Sequence, residues 1–334
     1  MLKIGLDIGY GYTKAVASNG RSFNIPSIVG EGFQLIHNNT MLAQQGFNSD
    51  KLDNLCVEID NQKFFVGELA SIESLSQSYV YDQDKIDHIN FKVLIATSVA
   101  LLLDEPEDIS IVVGLPYSDY VKQKKKLQAY LNNFDNIIKL NGVEKHIRFH
   151  TAAPFPQSAG AIFELKKYYS FDPSGYVACV DIGTKTTDFT VFIPQKTKLV
   201  ESMSSTINVG AHFVHSYVNR EMEYQSGIRL DPFRVESIIR NGAVTEFDGR
   251  KYDLNESLRN GKSDLVKRIS DEIAKNWAHG STKISKTFLV GGGAQLLKEQ
   301  LSSKYSSAVI PEQPEMMNAR GFLIVANKIA QDYI

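Results

Sequence analysis

The sequence predicts an α/β protein built from two related half-domains, and three observations carry that reading. The triplet Asp7-Ile8-Gly9 returns as Asp181-Ile182-Gly183, about half a chain later. Each copy ends a short apolar run, Leu2 to Leu6 in the first and Tyr176 to Val180 in the second. Each then enters a Gly/Thr-rich turn, Tyr10-Gly11-Tyr12-Thr13-Lys14 and Thr184-Lys185-Thr186-Thr187-Asp188. A buried strand that ends in an acid and folds back through small residues offers a carboxylate beside backbone N–H groups. That combination suits phosphate and a divalent cation. Two copies imply two half-domains facing one another across a nucleotide.

The 334 residues are enough for two domains with separate cores. Hydrophobic residues make up 43% and charged residues 22%, the balance of a globular chain that is neither disordered nor membrane-embedded. A net charge of −2 gives no general attraction to nucleic acid or anionic lipid. No run approaches the roughly 18–20 apolar residues of a membrane span. Asp7 interrupts the first apolar stretch too early for a signal peptide. Cys56 and Cys179 are far apart and read as reduced thiols, so the expected location is the cytoplasm.

Residues 2–8 and 12–17 read as strands, and Asn19-Gly20 marks a two-residue hairpin into Arg21–Ile25. Antiparallel pairing therefore comes first, which a purely alternating β-α nucleotide fold does not show. Residues 30–55 have weak periodicity and read as a small insertion, closed by a hairpin from Val57–Ile59 to Lys63–Val66. Asn90 to Leu103 reads as an apolar helix capped by Asn90. A strand at Ile109–Val113 leaves through Gly114-Leu115-Pro116 into a basic amphipathic helix, Tyr117 to Leu131. Its Lys122–Lys126 stretch reads as a solvated face. A hairpin turning at Asn141-Gly142 joins Ile137–Leu140 to Val143–Phe149, and Pro154 and Pro156 are expected to start a helix from Gln157 to Tyr168.

The second half repeats the plan. Strands are expected at Tyr176–Val180, Asp188–Ile193 and near Leu199–Met203, with helices at Ala211–Met222 and Pro232–Asn241. A small Asp248-Gly249 hairpin precedes a long helix, Lys262 to Trp277. The buried strand Thr287–Val290 ends in Gly291-Gly292-Gly293 and opens a helix, Ala294 to Ser303; the last helix, Asn318 to Asp332, returns to the first domain. The expected division is residues 1–156 with 313–334, carrying an insertion at about 30–75, and residues 157–312, carrying one at about 225–282.

Asp7 and Asp181 are the candidate metal-side carboxylates, holding Mg²⁺ through water, since Mg²⁺ keeps several waters and takes few carboxylates. Gly9, Gly11 and Gly183 allow backbone N–H groups to approach β- and γ-phosphate oxygens. Lys14 adds a point charge, and Thr13, Thr184 and Thr186 add hydroxyl donors; Tyr10, Tyr12 and Lys185 belong to the same two nucleotide-binding turns. One strand-terminal Asp usually caps a turn; it is the matched pair that favours the functional reading. Gly291, Gly292 and Gly293 let a flat base or a phosphate lie on backbone at a helix start. Asn208 and Gly210, at another strand-to-helix turn, are a weaker signal of the same kind.

Competing motifs fall away. Gly9 to Lys14 lacks the P-loop spacing, and Gly9-Tyr10-Gly11 lacks the third glycine of a dinucleotide fingerprint. His212 and His215 share a helix face, but no Cys or nearby acid completes a metal site.

Taken together, these motifs resemble the actin-like ATPase superfamily, which includes actin, Hsp-type chaperones and sugar kinases. The phosphate-1 loop looks like Asp7–Lys14, the first connecting helix like Gln157–Leu165, and the phosphate-2 loop like Asp181–Asp188. The adenosine motif looks like Leu289–Leu297 and the second connecting helix like Ala319–Ala330. The resemblance implies a duplicated ribonuclease-H-like two-domain ATPase fold with a nucleotide cleft between the domains. Asp7 to Lys14, Gly114-Leu115-Pro116 and Ile207-Asn208-Val209-Gly210 are most similar to the ParM/StbA group of bacterial plasmid-segregation actins and its archaeal relatives. Two departures stand out. Thr184-Lys185-Thr186 replaces the usual Gly-Thr/Ser-Thr, and Gln157 stands where ParM carries an acid and actin a Gln.

The resemblance makes Gln157 the residue that positions the attacking water, with Asp181 and Mg²⁺ completing the catalytic arrangement. A Gln orients water without taking its proton, so hydrolysis of ATP, or of GTP, is expected to be slow. The implied function is a nucleotide-driven filament of identical subunits, serving plasmid DNA segregation through a DNA-binding adaptor, with no direct contact to nucleic acid or membrane. The alternatives on the same fold are a small-molecule kinase or phosphotransferase, which needs an acid where Gln157 stands, and a regulatory ATPase.

Overall fold

The computed structural model describes residues 1–33, 49–74, 77–79, 85–196, 198–278 and 281–331. They form two compact units, Met1–Ser170 with Met316–Ile334, and Phe171–Glu315.

In the first unit the strands are β1 (Leu2–Ile8), β2 (Tyr12–Ala17), β3 (Ser22–Pro26), β4 (Ile28–Glu31), β5 (Leu55–Ile59), β6 (Gln62–Val66), β7 (Gln77–Tyr79), β8 (Ile109–Leu115), β9 (Asp135–Leu140) and β10 (Val143–Pro156). They join in one sheet of order β3-β2-β1-β8-β10-β9-β5-β6-β4-β7. β1 runs antiparallel to β2 and parallel to β8, and β8 runs parallel to β10. The period of two along β1 separates its roles. Leu2, Ile4, Leu6 and Ile8 enter the core with the apolar helix Ile89–Leu102, while Gly5 and Asp7 take the other face.

The helix Met317–Gln331 packs on that second face at backbone distance. A Cβ on Gly5 would lie 2.1 Å from the Ala319 carbonyl oxygen, and one on Gly321 would lie 1.8 Å from the Gly160 carbonyl oxygen. The Phe322 ring fills the space that side chains on Gly114 and Gly160 would take. This packing assigns the helix Ala159–Leu165 to the first unit. The units therefore divide at 170/171 and 315/316, where the sequence placed the divisions at 156/157 and 312/313.

Three local expectations change for physical reasons. Pro154 and Pro156 end β10 opposite Val113 and Leu115, and the helix starts only at Ala159. β9 pairs with β10 only as far as Arg148, so among the described residues the prolines lie where one edge of β10 is without a strand partner, the position that tolerates a missing N–H. The helix expected to be capped by Asn90 is capped by His88, whose Nδ1 accepts from the Asn90 N–H. Within the region expected as an insertion, about 30–75, β5 and β6 join the main sheet, with residues 34–48 outside the described residues.

The second unit holds β11 (Tyr176–Ile182), β12 (Thr187–Ile193), β13 (Lys198–Leu199), β14 (Ser205–Ile207), β15 (Val244–Phe247), β16 (Arg250–Asp253) and β17 (Ile284–Val290). β11 is antiparallel to β12 and parallel to β17, the arrangement that β1 has with β2 and β8. Ala178, Val180 and Ile182 enter a core with helices Ala211–Ser226 and Asn255–Trp277, leaving Cys179 and Asp181 on the opposite face. The strand expected near Leu199–Met203 resolves into two-residue β13, a 3-10 turn at Glu201–Met203, and β14. The long helix begins at Asn255, not Lys262, and the last helix is described as far as Gln331. Cys179 is fully buried, and burial, then the charges of Asp181 and Asp188, push its thiol well above the usual range. Among the described residues no helix is long and apolar enough to cross a membrane.

The crossing of the last helix gives a direct stability test. Gly321→Ala drives a methyl into the Gly160 backbone, so the unfolding free energy in denaturant melts should fall by about 2–3 kcal/mol.

Candidate functional site

The two repeated triplets fold into the same turn. In the first, Asp7 sits opposite Lys14 and Ile8 opposite Thr13, and the Gly9 N–H donates to the Tyr12 carbonyl at 3.0 Å. In the second, Asp181 sits opposite Asp188 and Ile182 opposite Thr187, and the Gly183 N–H donates to the Thr186 carbonyl at 2.9 Å. A Cβ on Gly9 would lie 2.8 Å from the Tyr12 oxygen, and one on Gly183 3.2 Å from the Thr186 oxygen. The glycine that follows each acid is thus fixed by turn closure.

Around the first turn, Asp7 and Gln157 are buried, at 3% and 7% exposure. The Gln157 Nε2 donates to Asp7 Oδ1 at 2.6 Å, and Lys14 Nζ lies 3.7 Å from Asp7 Oδ2. Gln157 is anchored by its own N–H, which donates to the Leu115 carbonyl at 2.7 Å. Asp7, Lys14 and Gln157, 150 residues apart at the extremes, therefore form one cluster in the first unit. Thr13 departs from its expected role. Its hydroxyl is fully buried and pairs with the Ser27 hydroxyl at 2.8 Å, because alternation turns it away from Lys14. Ser27, whose N–H also donates to the Gly11 carbonyl, braces the turn and carried no signal in the sequence. Tyr10 is buried, while Gly9, Gly11 and Tyr12 are partly exposed.

Around the second turn, the start of the helix Ala211–Ser226 holds the loop. Ala211 N–H donates to the Gly183 carbonyl at 2.9 Å and His212 N–H to the Thr184 carbonyl at 2.8 Å. Gly210 fits beneath them, since a Cβ there would lie 2.5 Å from the Gly183 oxygen. Gly210 therefore supports the turn, whereas Asn208 is exposed. Thr184 and Lys185 are partly exposed and Thr186 is buried. Asp188, which closes the second turn, is buried opposite Asp181 and accepts from the Thr206 hydroxyl at 2.5 Å. The glycine triplet packs on the same strand end. Gly291 has φ of +85°, and a Cβ on it would lie 2.3 Å from Asp181 Oδ1; one on Gly293 would strike the Ile182 side chain. Gly292 alone faces open space. The helix it opens is a short piece, Gly292–Leu296, followed by Lys298–Lys304, and not the continuous helix expected.

Comparison with known proteins fits this duplicated arrangement. Residues 5–160 match the family described as actin like proteins, N terminal domain, and residues 179–303 match the archaeal actin homologue MreB-like C-terminal family. The chain belongs to the actin-like protein family. An archaeal actin homologue from Thermoplasma volcanium is 24% identical to this actin-like protein, over 98% of this chain and 99% of its own. A ParM from Clostridium botulinum, solved as a 15-stranded filament, is 27% identical and superposes with a TM-score of 0.86, covering 98% and 99% of the two chains. The crystal structure of an archaeal actin homologue, 20% identical, shares the fold with a TM-score of 0.83 over 98% and 100%.

His212 and His215 of this actin-like protein lie one turn apart on the helix Ala211–Ser226. Burial lowers the titration of both; beyond it, Lys185 lowers His212, while Glu236 opposes the shift at His215. No group of three or more metal-capable side chains occurs among the described residues.

Two measurements check these assignments. Gly292→Ala should leave the thermal midpoint unchanged, while Gly291→Ala, strained and sterically blocked, should cost about 2–4 kcal/mol. His215 binds its proton more readily in the unfolded chain, so stability is complete above the ordinary histidine value of about 6.5 and declines as pH falls below it. His215→Gln should flatten that decline in unfolding free energy measured against pH.

Proposed function

We propose that this actin-like protein binds ATP, or GTP, with Mg²⁺, hydrolyses it slowly, and uses the cycle to assemble and disassemble a filament of its own copies. The observation that carries the reading is the cluster of buried Gln157 and Asp7 with half-buried Lys14, at a strand-end turn that recurs, with the same closure, at Asp181. The filament part is supported by likeness to the Clostridium botulinum ParM, itself solved as a filament, and nucleotide binding by an archaeal homologue of the same fold solved in complex with ADP. Plasmid DNA is the proposed cargo, reached through a DNA-binding adaptor, since the net charge of −2 gives this chain no electrostatic purchase on DNA.

Gly9, Gly11, Gly183 and Thr184 supply the phosphate-facing backbone, and Lys14 a compensating charge. Gln157 spends its amide N–H on Asp7, which directs its carbonyl oxygen, an acceptor, to the attacking water. A Gln there orients water and cannot accept its proton at neutral pH, which makes hydrolysis slow. The residues fit Mg²⁺: Asp7 and Asp181 are buried hard-oxygen donors, and no group of three or more metal-capable side chains occurs among the described residues, so the ion would keep several of its waters. When bound, the ion would neutralise phosphate charge. A small-molecule kinase on this fold needs a catalytic acid in its substrate cleft, and Gln157 and Ser158 lead into the connecting helix instead.

Sedimentation with and without Mg-ATP or Mg-GTP tests the assembly. Polymer should pellet only with nucleotide, and a protein that stays monomeric at high concentration refutes it. Gln157→Ala should bind nucleotide with unchanged affinity, turn it over about 10²-fold more slowly, and form longer-lived polymers. Unchanged turnover removes Gln157 from the site.

A further inference from the structure

We propose that Asn318 is a positioning residue for nucleotide hydrolysis, holding the strained turn that aims Gln157 at Asp7; this rests on the reading of Gln157 as the water-orienting residue.

Immediately after Gln157 the backbone makes an unusual move. Ser158 has φ of +62° and ψ of −40°, in the left-handed half of conformational space that favours glycine. The Ala159 N–H donates back to the Gln157 carbonyl at 2.7 Å, closing a three-residue γ-turn of the positive-φ kind, which is rare and strained. The Ser158 hydroxyl donates to the same carbonyl. Such strain persists only where the surroundings over-determine it, and it concentrates at functional sites.

One group makes the turn tenable. Ser158 is fully buried, so its N–H must find a partner in protein. Asn318 Oδ1 accepts it at 2.9 Å, from a position that is itself 5% exposed. Gln157 is then held at both backbone ends, by Leu115 at its N–H and by the γ-turn at its carbonyl. Its side chain is confined as well, because Gly114 packs close to Gln157 Cγ. Asn318 is in turn fixed by its own helix. One turn further on, Gly321 touches the Gly160 backbone and Phe322 fills the space over Gly114 and Gly160. The chain from Gly321 through Asn318 and Ser158 to Gln157 is therefore one of rigid contacts, with a side chain of the last helix at its centre.

A double-mutant cycle on the full-length protein tests the role. Asn318→Ala should lower kcat about tenfold, as expected for a misplaced catalytic group, with nucleotide affinity and KM unchanged. Asn318→Asp, which keeps an acceptor for the Ser158 N–H, should recover most of the rate. The double variant Gln157→Ala/Asn318→Ala should turn over no more slowly than Gln157→Ala alone, because Asn318 acts only through Gln157. If Asn318→Ala does not fold, Asn318→Ser takes its place with the same expectations. Normal kcat in the Asn318 variant, or a slowing that adds in full to that of Gln157→Ala, overturns the positioning role and leaves Gln157 in place. Normal turnover in Gln157→Ala overturns both.

Discussion

Backbone contact at three glycines sets the geometry of the first unit. Gly5, Gly160 and Gly321 bring the last helix against β1 and against the helix Ala159–Leu165 with no room for a methyl group. Close packing of this kind is intolerant of volume change, so it fixes position more sharply than a layer of flexible side chains does. The consequence at β1 follows from strand alternation. Because Gly5 yields its face to the helix, Asp7, two residues on, emerges at the edge of the same contact, where Gln157 can reach it. The site is thus a by-product of how closely two helices and a strand approach.

The two turns share a backbone and differ in charge. Position for position, Lys14 in the first corresponds to Asp188 in the second, each opposite the acid that opens the turn. In the first turn the carboxylate of Asp7 meets an ammonium and an amide, so its charge is compensated within the unit. In the second, two buried carboxylates sit on facing positions of one hairpin, with Thr206 donating to one of them. Carboxylates on facing positions of one hairpin offer hard oxygen ligands to a divalent cation. Under the proposed reading, Mg²⁺ is favoured at the Asp181 turn and water is oriented at the Asp7 turn.

Much of this was legible in the sequence because repetition is a strong signal. The Asp-Ile-Gly copies, the Asn19-Gly20 and Asp248-Gly249 hairpins, and the strands beside them fold as their local patterns indicate. What was not legible depends on partners far away in the chain. A proline with φ near −65° suits a helix start and a strand edge equally, and only the pairing of β10 with β8 decides for the strand at Pro154 and Pro156. The hairpin of β5 and β6 reads locally, but its place in the main sheet is set by β9, which β5 joins. At the site, Thr13 misled. A hydroxyl in a phosphate-like turn is a good donor only if alternation points it outward, and here it points to Ser27. Asn318 and Ser27 gave no signal at all, since a single polar residue in a helix or strand acquires meaning only from what it faces.

The choice of Gln at position 157 and the strain beside it belong together. An acid in that place contributes through its proton affinity as well as through its position. An amide has no titration near neutral pH and contributes only by direction, so its value falls as its orientation loosens. A chain that relies on Gln157 therefore gains from immobilising it, even at the cost of a positive φ at a non-glycine residue. Packed elements move between discrete arrangements more readily than they deform. Under this reading, hydrolysis is governed by whether the crossing of the last helix holds the Ser158 turn in place, and its rate is a property of packing more than of acid–base chemistry.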